Sequence, residues 1–87
     1  MTPPRLVTGA RLTYDDVRGE HVLLVPEGVV RLNPTAAEVL YLCDGERSLD
    51  EIVSALSARY DGFDLRDDVR ELIAAMTQRG LVIDAAE

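Results

Sequence analysis

The stretch VVRLNPTAAEVL, residues 29–40, contains the point at which the periodicity of this chain changes. Before Asn33 the apolar residues form a short run typical of a β-strand, and after Pro34 they recur at helical spacing. Asn33 is a preferred N-cap residue, and Pro34 suits the first helical position, where a missing N–H costs no hydrogen bond. The stretch therefore predicts a short strand, from residue 29 to 32, that passes directly into a helix.

The residues before this stretch predict two further strands. Residues 10–14 alternate apolar and polar side chains, the period of a half-buried strand, and residues 21–25 are apolar except at the first position. Turn-forming residues occupy 15–20 and 26–28. Three strands joined by short loops predict an antiparallel meander in the order 1-2-3, with the apolar second strand in the centre.

Capping residues mark the helices that follow. The first helix is predicted from Pro34 to Cys43, before Gly45, which suits the left-handed position after a helix end. Ser48 and Glu51 have the spacing of a capping box and predict the start of the second helix.

The second helix is predicted to end at Asp61-Gly62, and Asp64 is the predicted N-cap of the third. The apolar face of the third helix is predicted to contain Leu65, Val69, Leu72, Ile73 and Met76. Residues 81–83 form a short apolar segment that closes the chain. The fold class is therefore α+β: a three-stranded antiparallel meander followed by three helices, winged helix-turn-helix-like in outline. We expect residues 1–8 to be a flexible N-terminal segment and residues 9–84 a single domain.

Composition limits the functions this domain can have. Nine basic residues, all arginine, against sixteen acidic ones give a net charge of −7 over 87 residues, which disfavours binding to nucleic acid or to anionic membranes. A single Cys and a single His allow neither a disulfide framework nor a zinc site, and we expect no cofactor. The lone Cys and the lack of an export-signal pattern predict a cytoplasmic protein.

No pattern of catalytic residues is present. His21 has no nucleophile or carboxylate at a catalytic spacing and is interpreted as an exposed or half-buried strand residue. Cys43 lies on an apolar helix face, as a buried structural cysteine does. The sequence therefore predicts that the chain is not an enzyme.

A winged-helix DNA-binding module is one alternative that the order of elements suggests. Its recognition helix would be the third, which carries Arg66, Arg70 and Arg79. The same segment holds Asp64, Asp67, Asp68 and Glu71, which would repel phosphates. This favours a winged-helix shape that does not bind DNA, as in a regulatory or protein-interaction module.

The third strand is a candidate for peptide binding. At the edge of a meander it leaves one row of backbone groups unpaired, and residues 29–32 carry one charge and no proline to protect that edge. Such an edge accepts an added peptide strand. The alternative is an edge covered by the helices of the domain itself, and local sequence physics alone slightly favours this alternative.

Several motifs occur together in the order found in one protein family. They are VRG at 17–19, RLNPTAAEVL at 31–40, LCDG at 42–45, SLDEIV at 48–53 and RGLV at 79–82. In these motifs the chain resembles PqqD, the pyrroloquinoline quinone biosynthesis protein D, from about Leu12 to Val82.

The resemblance implies a RiPP recognition element, a non-catalytic peptide-binding domain. It implies that the leader of the precursor peptide PqqA is bound as an antiparallel strand and presented to the radical SAM enzyme PqqE. Related domains serve other modified-peptide pathways, so another precursor is the alternative. Carried onto this chain, the resemblance implies peptide-binding residues on the third strand and on the third helix: Val29, Val30, Arg31, Leu32, Asn33, Arg66, Val69, Arg70 and Ile73. A monomer or a weak or strand-swapped homodimer is expected, since an open edge also accepts a second copy.

Overall fold

The computed structural model describes residues 3–60 and 65–84, which form five short strands and three helices. In chain order they are β1 (Pro4–Leu6), β2 (Arg11–Asp15), β3 (Glu20–Val25), β4 (Gly28–Leu32), α1 (Pro34–Leu42), α2 (Leu49–Arg59), α3 (Arg66–Gln78) and β5 (Val82–Asp84). The predicted α+β class, with a meander followed by three helices, is confirmed.

The meander has the predicted strand order β2-β3-β4, and both pairings are antiparallel. Leu23, at the middle of β3, is fully buried and lies between Leu12 of β2 and Val30 of β4. These three side chains point to the face that packs on the helices, because residues directly opposite in adjacent strands share a face. The apolar strand β3 therefore lies at the centre of the meander, as predicted, with Leu23 buried.

The first two helices begin at the predicted caps. The side-chain oxygen of Asn33 accepts a hydrogen bond of 2.7 Å from the amide of Ala36. Ser48 and Glu51 form the reciprocal capping box, with bonds of 3.2 and 2.9 Å. These bonds satisfy amides that a helix start otherwise leaves unpaired.

The third helix differs from its prediction at its start. It begins at Arg66, with Leu65 at the N-cap position and no side-chain cap. The predicted cap residue, Asp64, and the predicted end of the second helix, Asp61-Gly62, lie outside the described residues. Of the predicted apolar face, Val69, Ile73 and Met76 are buried, whereas Leu65 and Leu72 are partly buried against the core.

One core joins the inner face of the meander to the helices. Its buried members are Leu23, Leu32, Ala36, Ala37, Val39, Leu40, Cys43, Ile52, Val53, Leu56, Val69, Ile73, Met76, Leu81 and Val82. Every helix contributes to this set, so the helices and the meander form a single packed unit.

A second sheet, which the sequence analysis did not foresee, joins the two ends of the described chain. Pro4–Leu6 pairs antiparallel with Val82–Asp84, and the carbonyl of Pro4 accepts from the amide of Gly45 at 2.9 Å. Residues 1–8 were expected to be a flexible segment outside the domain. The structure instead shows residues 4–6 as a strand of the domain, between β5 and the turn after α1.

Candidate functional site

The outer edge of β4 is open. In residues 3–60 and 65–84, no strand pairs with β4 on the side away from β3. A two-residue turn, Pro26-Glu27, connects β3 to β4 and makes Val25 and Gly28 the facing pair next to it. Across so short a turn, facing residues can only be a hydrogen-bonded pair.

The register then determines which backbone groups of β4 are free. Hydrogen-bonded and non-hydrogen-bonded pairs alternate along an antiparallel ladder. Val30 and Leu32 are therefore bonded to β3, through Leu23 and His21. The N–H and C=O groups of Val29 and Arg31 point away from the sheet, so two donors and two acceptors are available to another strand.

The side chains of β4 differ between the two faces of the sheet. Val29 is exposed on the outer face, at 61% of its surface, although it is a large apolar residue. Arg31, on the same face, holds both carboxylate oxygens of Glu20 at 2.9 and 3.2 Å. The hydrogen bonds and charge of Glu20 raise the pKa of Arg31, so the charge of this guanidinium is already matched within the sheet.

The other two residues of the predicted strand segment have structural roles. Leu32 is buried in the core, with 7% of its surface exposed. Asn33 caps α1 with its side chain, and its carbonyl accepts the amide of Ala37 at 3.0 Å. Both residues thereby fix the end of β4 against the helix that follows.

A cavity of about 230 Å³ lies at the hairpin end of β4. It is lined by Val25, Glu27, Gly28, Val29, Val30, Arg79 and Leu81. Arg79 and Leu81 were not predicted for this site. Gly80, with φ of +76°, reverses the chain after α3, and the amide of Leu81 then bonds to the carbonyl of Met76 at 2.9 Å. A left-handed glycine directly after a helix was the signal for this reversal, but it does not say which strand the returning chain meets.

The predicted residues of α3 line a different place. Arg70 and Ile73 belong to a cleft of about 520 Å³ with Leu49, Glu71, Ala74, Thr77 and Gln78, and no β4 residue lines it. Arg66 forms an ion pair with Asp50. Val69 is in the core, at 2% exposure. The structure thus separates these α3 residues from the cavity at β4, which the end of α3 borders instead.

The two residues with reactive side chains have structural environments. His21 is partly buried, as interpreted from the sequence, and stacks edge-on with Tyr14 at 4.9 Å and with Tyr41 at 6.4 Å between ring centroids. Cys43 is buried, as predicted. Burial, with a smaller contribution from the charge of Asp44, raises the pKa of its thiol to about 12. A protonated, enclosed thiol is a poor nucleophile.

Metal binding and membrane insertion find no support among the described residues. No group of three or more His, Cys, Asp or Glu side chains in residues 3–60 and 65–84 is placed to hold a metal ion. Within the same ranges, each helix is too short or too polar to cross a bilayer.

The sequence matches one family model and is similar to known proteins that are described as PqqA binding proteins. The family model for coenzyme PQQ synthesis protein D (PqqD) matches residues 20–82. A PqqA binding protein of Xanthomonas oryzae pv. oryzae is 43% identical over 81 residues, covering 91% of this chain and 88% of that protein. A PqqA binding protein of Methylococcus capsulatus is 38% identical over 72 residues, covering 83% and 77%.

Two solved structures are similar in fold. One is the solution NMR structure of the PqqD truncation of Methylobacterium extorquens PqqCD, described as a functional, stand-alone RiPP recognition element. It has a TM-score of 0.79 and 35% identity, and the match covers 92% of this chain and 87% of that one. The other is the crystal structure of PqqD from Xanthomonas campestris, with a TM-score of 0.59, 38% identity and 87% coverage of both chains.

Proposed function

This chain belongs to the family of coenzyme PQQ synthesis protein D, and on that premise we propose that it binds the precursor peptide PqqA as a strand added to β4. The observation that carries the proposal is the open edge, where Val29 and Arg31 present unpaired backbone groups. Relatives are named for PqqA binding, and a structural relative is described as a RiPP recognition element. These names describe binding and not catalysis, in agreement with the prediction that the chain is not an enzyme.

Backbone pairing alone gives little net affinity. Four hydrogen bonds at about 0.5–1.5 kcal/mol each amount to about 2–6 kcal/mol. Ordering a disordered peptide costs about 2–5 kcal/mol or more. Tight binding therefore needs apolar burial as well, and the cavity beside Val30 and Leu81 supplies apolar surface next to the edge. In this arrangement the backbone sets the register of the peptide, and guest side chains that cover exposed Val29 and enter the cavity add to the affinity.

Presentation of the bound peptide to PqqE is the second part of the proposal. A bifunctional coenzyme PQQ synthesis protein C/D, 37% identical to this chain over 78 residues, carries the similar region within a longer pathway protein. This supports a role beside other proteins of the pathway. Affinity purification of PqqE with this chain, with and without PqqA, tests the transfer. If recovery of PqqE does not depend on the peptide and persists in a β4-edge variant, the enzyme binds another surface of this chain.

The open edge is tested by proline substitution. Val29→Pro removes an outward-pointing N–H, and proline is tolerated at such positions of edge strands. The matched control Val29→Ala keeps the amide and removes the side chain. Because the lost bond leaves a peptide carbonyl unpaired, we expect Val29→Pro to weaken PqqA binding about tenfold or more relative to Val29→Ala, by calorimetry.

A second pair of variants, Arg31→Pro and Arg31→Ala, repeats the comparison at the other outward-pointing residue. Amide NMR spectra verify that each variant is folded, and chemical shift changes on adding peptide are expected to be largest along β4. Folded proline variants that bind PqqA as tightly as their alanine controls would show that the peptide does not use this edge. The same spectra report any weak or swapped homodimer through the edge, which peptide should dissociate.

A further inference from the structure

We infer that Arg79 makes this site selective for a peptide with a carboxylate beside its buried apolar side chain. The inference rests on the proposed function, because it assumes a strand added to β4. It concerns what that strand must contain, which follows from the charges around the cavity at the hairpin end of β4.

Arg79 lies next to the edge and has no ion-pair partner within the described part of the chain. Arg31 holds Glu20 through two hydrogen bonds, and Arg66 is paired with Asp50. Arg79 is exposed, lines the cavity together with Val29 and Val30, and forms no ion pair with any residue of the described chain. No carboxylate of residues 3–60 and 65–84 therefore matches its charge.

The cavity has an apolar part and a charged rim. Val25, Val30 and Leu81 supply the apolar surface, while Arg79 and Glu27 are the two charged residues that line it. Neither of these two residues forms an ion pair with a described residue. A strand paired with Val29 and Arg31 directs every second side chain toward the face that carries Val30. One apolar side chain of the guest can thus enter the cavity while a carboxylate two residues along the guest strand, on the same face, meets Arg79.

The opposite charge of Glu27 makes this preference depend on position. A guest carboxylate is attracted to the guanidinium of Arg79 and repelled by Glu27. A bidentate arginine–carboxylate pair also needs a defined geometry, which a lysine or a diffuse positive field does not impose. The overall charge of −7 repels acidic peptides from the rest of the domain, so the attraction is local to this site.

The experiment measures PqqA peptides in which each Glu and Asp is replaced in turn by its amide. Binding is measured to the wild-type protein, to Arg79→Gln and to the matched control Arg11→Gln, whose arginine is exposed on β2 at the opposite edge. We expect one amide replacement to weaken binding to the wild type and to Arg11→Gln about threefold to tenfold. The same replacement should have no effect on Arg79→Gln, and Glu27→Gln should bind the unmodified peptide equally well or more tightly.

The outcomes distinguish failure of the charge selectivity from failure of strand addition. If PqqA binds but no amide replacement is coupled to Arg79, the charge selectivity is wrong and strand addition is unaffected. If PqqA does not bind the wild type, both proposals fail. Raising the salt concentration gives a second readout, because the threefold to tenfold preference for the carboxylate should shrink in the wild type and stay absent in Arg79→Gln.

Discussion

Replacing Arg5 by proline tests whether the N-terminal residues are part of the domain. The amide of Val7 donates to the carbonyl of Leu81 at 2.9 Å, and these two residues flank the facing pair Leu6–Val82. That pair is therefore not the hydrogen-bonded one, and Arg5 and Ile83 exchange both backbone bonds. Proline at position 5 removes one of these bonds.

The expected loss follows from the group left behind. Without the amide of residue 5, the carbonyl of Ile83 has no partner in the ladder, which costs about 1–3 kcal/mol. The control Arg5→Ala keeps the amide and loses only the side chain, whose Nη1 donates to the carbonyl of Leu6 at 3.2 Å. The free energy of unfolding should fall by about 1–3 kcal/mol more in Arg5→Pro than in Arg5→Ala.

Urea unfolding followed by far-UV circular dichroism measures this difference. With a slope of about 1 kcal/mol per M, at the low end for small proteins, the midpoint of Arg5→Pro should lie about 1 M or more below that of Arg5→Ala. Hydrogen exchange at the amide of Ile83 should also become faster in Arg5→Pro. Equal midpoints for the two variants would refute the pairing of β1 with β5 and restore the expectation of a flexible segment.

Two further predictions concern stability. Because the pKa of the Cys43 thiol is raised from 9.0 to about 12 in the folded protein, the unfolded state releases this proton first as pH rises. The urea midpoint should therefore fall between pH 9 and 11 more steeply in the wild type than in Cys43→Ala; parallel slopes would contradict the burial. Asn33→Ala should lower the free energy of unfolding by about 1 kcal/mol, while Asn33→Asp keeps the cap. Thermal melts of the two Asn33 variants check this prediction. An Asn33→Ala variant as stable as the wild type would exclude the cap.

The elements of the fold were predictable because their signals are local. The helix starts at Asn33 and Ser48 depend on side chains that bond to amides three residues away. The central position of residues 21–25 was predicted from an apolar run, which is typical of a strand with a neighbouring strand on each edge. Such features involve neighbours in the chain, so the sequence contains all the groups that take part.

The orientation of the candidate edge was less accessible. From the sequence, residues 26–28 were expected to form the turn, whereas Gly28 pairs with Val25 and belongs to β4. A turn shorter by one residue makes Gly28 a member of the ladder, and the alternation counted from that pair decides that the backbone of Val29 and Arg31, and not of Val30, points outward. Local turn preferences did not resolve a difference of one residue.

By itself, the sequence determined the class of the fold, the caps of the first two helices and the presence of an edge strand with little protection. Only the tertiary structure decided what surrounds that edge. Arg79 and Leu81 reach β4, while Arg70 and Ile73 line a separate cleft. β1 meets β5 across nearly the whole length of the chain. These contacts join residues far apart in sequence, and they depend on how helices and strands pack around a common core, for which periodicity and capping contain no signal.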